Sequence, residues 1–174
     1  MKKKLTILIV VMFVLTLFNT CIGQSKEESL FYDLIGRSKN YIKRTYPNYY
    51  EMDHGVWNGY YHISNYTCKD GGLIAILLGF DRYKSSDEVG TLGMFIQGCS
   101  DEFPILENIY GALSVSIVVS GLDFYDLKNM HYIIEESDKI IVKLPDDIIV
   151  MVFKKINDSG IYYESSISML NGSK

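Results

Sequence analysis

Ready-made reactive signatures are missing from this chain. It holds no Gly-x-Ser-x-Gly elbow, no His-Glu-x-x-His zinc helix, no phosphate-binding P-loop and no EF-hand loop. Only three histidines are present, so an imidazole-rich metal site has few donors to draw on. His131 and Glu135, with Asp123 and Asp126 nearby, lack a further anchor, and His54 beside Asp53 is no stronger. No metal or cofactor is expected. The adjacent carboxylates Asp101-Glu102, Glu135-Glu136 and Asp146-Asp147 fall in or beside turn-like stretches, where solvated acids accumulate, so glycosidase-type acid/base chemistry has no specific support.

Other absences bound the architecture. Three prolines in the whole chain exclude a Pro-rich stalk or hinge. Low-complexity tracts, fixed-period repeats and dense Lys/Arg clusters are absent. The most basic stretch, Lys39 to Arg44, reads as the solvated face of a helix. After the N-terminal leader, the longest apolar runs, Leu73 to Phe80 and Ala112 to Leu122, fall short of the roughly 20 residues that a membrane-crossing helix needs.

The leader itself is the clearest positive signal. Lys2, Lys3 and Lys4 precede the apolar run Leu5 to Phe18, and smaller or polar residues follow at Asn19 to Gly23. This is the pattern of a secretory signal peptide over residues 1–23. As a helix the apolar run would span about 21 Å, short of a hydrocarbon core of about 30 Å. Cleavage after Gly23 places Cys21 and Gly23 at the small-residue positions read by signal peptidase, and starts the mature chain at Gln24. Lipidation at Cys21, which would tether the chain to a membrane, is the alternative; Phe18, Asn19 and Thr20 fit that exit poorly. The expected location is therefore periplasmic or secreted.

Export changes the reading of charge and cysteine. Loss of the three leader lysines leaves 14 basic and 21 acidic side chains, a formal charge of −7. Such a surface repels phosphate backbones and excludes nucleic acid as the expected partner. Cys68 and Cys99 remain, and in an oxidising compartment they are expected to form a disulfide. The Asn-x-Ser/Thr triplets at Asn65, Asn157 and Asn171 matter only in a eukaryotic source.

Residues 24–174 have the length of one domain. Ser25 and Glu28 form a capping-box pattern, and apolar residues from Leu30 to Thr45 recur at helical spacing, predicting a helix over 26–46 stopped by Pro47. Val56 to Thr67 and Leu73 to Phe80, separated by Lys69-Asp70-Gly71-Gly72, predict a hairpin, and Thr91 to Gln97 a third strand. Pro104 to Ser120 carries both helical and alternating patterns, which a short helix running into a strand would satisfy. Tyr132–Glu135, Ile140–Leu144, Ile148–Phe153 and Ile161–Met169 predict an antiparallel meander, with Ile148 to Phe153 central and Glu164, Ser166 and Ser168 facing water. The fold class is α+β: an N-terminal helix packed on a mostly antiparallel sheet that ends in a C-terminal β-meander. An exposed edge of that meander would support dimers.

The candidate site is aromatic. Tyr46, Tyr49, Tyr50, Trp57, Tyr60 and Tyr61 fall within sixteen residues, interleaved with Asp53, His54 and Asn58 and followed by His62. Tyr49, Tyr50, Trp57, Tyr60, Tyr61 and His62 form the predicted binding patch. Alternation puts Tyr60, His62 and Tyr66 on one strand face and Trp57, Tyr61 and Ile63 on the other. Tyrosine and tryptophan supply broad, stiff contact area with a hydrogen-bonding group, the chemistry of protein hot spots. The plainer reading makes them ordinary strand and core residues. The leading expectation is an exported, non-enzymatic domain that binds another protein, basic in character, as an inhibitor or immunity-type neutraliser would. A carbohydrate- or cell-wall-binding module is the alternative, and an envelope hydrolase using His62 or His131 ranks below both; a Cys68 thiol nucleophile beside His62 is disfavoured by the expected disulfide.

Overall fold

The computed structural model describes residues 30–53, 57–80, 87–99, 101, 103–122 and 129–170. The leader, the Cys21 alternative, the capping box, His54, Asp123 and Asp126 lie outside them. Eight antiparallel strands form one sheet in the order β1-β2-β3-β4-β8-β7-β6-β5. Their ranges are β1 Tyr50–Glu51, β2 Tyr61–Thr67, β3 Leu73–Phe80, β4 Val89–Gln97, β5 His131–Glu135, β6 Lys139–Lys143, β7 Ile148–Asn157 and β8 Gly160–Met169. The sheet is two four-stranded meanders, one from each half of the chain, joined where β4 pairs with β8 from Thr91↔Ser168 to Gln97↔Tyr162.

Turn chemistry explains the strand order. Between β2 and β3, Asp70 accepts the Gly72 N–H (2.9 Å), and Gly71 takes a positive φ of 80°. Between β6 and β7, Asp146 and Asp147 both have positive φ (57° and 58°) while Ile148 N–H donates to the Pro145 carbonyl. That is the tight hairpin geometry whose twist matches the strands it joins. The expected C-terminal meander is present, and β7 is an interior strand.

Two local expectations are corrected. The predicted helix over 26–46 is two short helices within the described residues, α1 (Leu30–Leu34) and α2 (Lys39–Thr45). Gly36 breaks the run at a φ of +79°, its N–H bonded to the Val89 carbonyl, and Ser38 caps α2 by accepting the Tyr41 N–H. Phe31, Leu34 and Ile42 nonetheless enter the core, as their spacing requires.

The second correction concerns the ambiguous stretch, whose C-terminal part is a helix rather than a strand. A 3-10 turn over Pro104–Glu107 leads into α3 (Ile109–Val119). Asn108 caps α3 through the N–H groups of Tyr110 and Gly111, and the serines that mimicked strand alternation bond back along the helix. Ser116 also shares a 2.8 Å bond with Ser165 of β8, so two buried hydroxyls satisfy each other. Gly111 backs directly onto the Ile105 carbonyl, where a Cβ would lie 1.6 Å from the oxygen.

The helices and the side chains of one sheet face build a continuous core that includes Ile74, Leu78, Leu92, Met94, Val142, Val150, Tyr163 and Ile167. Strand parity then sends Leu77, Gly79, Gly93, Phe95, Phe153, Tyr162, Glu164 and Ser166 to the opposite, outer face. The predicted disulfide is formed: Cys68 and Cys99 are bonded at 2.01 Å with their Cα atoms 5.3 Å apart, tying the ends of β2 and β4.

Candidate functional site

The six predicted patch residues do not form one surface. Tyr61 is buried in the core, stacked on Tyr49 at 4.9 Å and met edge-on by Phe80 at 5.0 Å. The Lys39 ammonium lies 4.7 Å from the Tyr61 ring and closes this helix-side cluster. Tyr61 thus belongs to the core, and Tyr49, partly buried, packs against it.

Tyr50 and His62 are register partners on β1 and β2, and their rings stack at 4.4 Å. Tyr50 is 53% exposed, whereas His62 is 7% exposed and its Nε2 lies 2.5 Å from the Asn65 side-chain oxygen. A bulge between His62 and Ser64 shifts the strand by one residue, which puts Tyr66 on the opposite face from His62. The predicted face assignment fails there. It fails also because the strand begins at Tyr61, so Trp57 and Tyr60 approach from a preceding turn.

Trp57 and Tyr60 meet edge-to-face at 5.0 Å and lie over the outer face. Glycine makes this approach feasible. A Cβ on Gly79 would fall 2.7 Å from the Tyr60 ring, and one on Gly93 would fall 2.6 Å from the Trp57 ring. The N-terminal meander therefore carries two bare backbone positions, each covered by an aromatic ring.

Beside these rings opens a cleft of about 240 Å³, lined by Trp57, Tyr60, Phe153, Lys155, Glu164, Ser165 and Ser166. Ser166 is the register partner of Gly93, and Glu164 is flanked by Phe95 on β4 and Phe153 on β7. Burial between those strands pushes the Glu164 carboxyl above its ordinary range, and the charge on Lys155 opposes the shift. Among the described residues no hydrogen-bond donor reaches Glu164. The ammonium groups of Lys155 and Lys139 lie 5.6 and 5.7 Å from the Phe153 ring. Phe153, Lys155 and Glu164 were not singled out from the sequence; the glycines inside two strand patterns were the available hint of close approach.

Cys68 is spent in the disulfide and offers no thiol. His62 and His131 stand on β2 and β5, far apart in the strand order. Asp70 lies near the disulfide sulfurs, but its carboxylate accepts backbone N–H groups from Gly72 and Asp101, which hold it below its ordinary range. Among the described residues no helix is long and apolar enough to cross a membrane. No protein-family model, curated protein or solved structure matches the chain.

Proposed function

We propose that this is an exported, non-enzymatic interaction domain that binds another protein through the outer face of its sheet, in the manner of an inhibitor or neutraliser. The observation that carries this reading is the pair of aromatic rings, Trp57 and Tyr60, seated on glycines beside an open cleft. Large rings held stiffly at a concave surface give contact area at little cost in side-chain entropy. The leader pattern and the disulfide favour action in an oxidising compartment outside the cytoplasm. A glycan-binding reading draws on the same cleft, where aromatic walls stand beside the polar Glu164 and Ser166.

The test is affinity capture from envelope and secreted fractions with tagged protein, compared with a Tyr60→Ala, Phe153→Ala variant. A stoichiometric protein competed by untagged bait and lost from the folded variant is the expected result. Equal capture by both baits would remove the outer face from the interaction. A blank with both, alongside hits on a glycan array, would transfer the function to carbohydrate.

A further inference from the structure

The outer-face cleft holds a carboxylate that the fold does not use. Glu164 sits on β8, a central strand, half-buried between Phe95 and Phe153. No donor among the described residues satisfies it, and Lys155, the cation acting on it, is an exposed side chain lining the same cleft. A structural carboxylate in such a place is normally paired or hydrogen-bonded, because partial burial penalises its charge. The walls beside it include the aromatic side chains of Trp57, Tyr60 and Phe153. Phe153 already draws two lysine ammonium groups to within 6 Å, so this ring attracts cations where it stands.

We propose that the cleft receives an arginine side chain of the protein partner, its guanidinium paired with Glu164 and stacked against the aromatic walls. This rests on the protein-binding reading above and names the chemistry recognised at its centre. Arginine fits better than lysine because its planar fork offers two parallel N–H groups to one carboxylate while its face lies on a ring. Charge complementarity points the same way: the chain carries a formal charge of −4, and the acid in this cleft lacks a fixed partner. Lys155 acts as a resident competitor, since its ammonium partly offsets Glu164 and repels an incoming cation.

Trp57 is the sole tryptophan of the chain, so its emission reports on this cleft alone. The probe is the blocked tripeptide Gly-Arg-Gly, titrated into the purified protein and followed by Trp57 emission and by amide chemical shifts of β8. Its citrulline counterpart, neutral and nearly the same shape, and the disaccharides cellobiose and chitobiose are run in parallel. The arginine peptide is expected to saturate both signals. Citrulline is expected to bind at least tenfold more weakly, the difference made by one charge-assisted pair. Glu164→Gln should weaken arginine binding by a similar factor with the amide spectrum otherwise intact, whereas Lys155→Ala should tighten it severalfold.

Equal responses to arginine and citrulline, an unaltered affinity in Glu164→Gln, or a response to the disaccharides alone would each overturn the proposal. A partner captured through the outer face equally well by Glu164→Gln would defeat the arginine assignment and leave the protein-binding reading standing. Conversely, arginine binding without any captured protein would retain the cation site and remove that reading.

Discussion

Glu164 titrates against the fold. Its carboxyl is raised by burial, so the folded chain holds the proton more tightly than the unfolded chain does. Stability from this group is therefore full below the ordinary carboxylate value and declines as pH rises through the folded one. Glu164→Gln removes that decline. It is expected to melt higher than the parent near pH 7 and equally near pH 3, as read by paired thermal scans. The same substitution is expected to weaken arginine binding about tenfold, so stability and affinity should move in opposite directions. A carboxylate with a purely structural role would lower both.

At the scale of elements, α3 depends on a contact with no side chain in it. The 3-10 turn presses its Ile105 carbonyl against Gly111, leaving no room for a methyl group. Gly111→Ala is expected to cost about 3 kcal/mol by displacing the turn or the helix, measurable by urea unfolding. Strands were the most legible elements, because alternation and turn residues mark them independently. The break at Gly36 was hidden by apolar spacing that runs at one helical period through both α1 and α2. The helical state of α3 was hidden for a different reason. A helix buried on nearly every side shows no polar face, and its back-bonded serines imitate the alternation of a strand. In the site, Trp57 and Tyr60 stood out because they fall in a dense aromatic cluster that holds the chain's one tryptophan. Phe153 and Glu164 arrive from about a hundred residues away through strand pairing that no local pattern records.

At the scale of the whole molecule, the described residues build helices onto an eight-stranded sheet whose two meanders meet at one seam, β4 against β8. The disulfide lies entirely within the first meander and closes a 31-residue separation. Cys68→Ala with Cys99→Ala is expected to lower stability by about 3–4 kcal/mol, mostly through a freer unfolded chain, as read from the denaturant midpoint under oxidising conditions. An unchanged midpoint would mean that the bridge restricts little.

That seam also divides the cleft between the two meanders. Trp57 and Tyr60 are supplied by the first meander, whereas Phe153, Lys155, Glu164 and Ser166 are supplied by the last two strands of the second. A chain that emerges amino end first presents its cross-linked aromatic platform early, but the opposite wall is absent until β8 docks. A fragment ending before β8 would carry the rings without the cleft, and on the proposed reading it is expected not to bind.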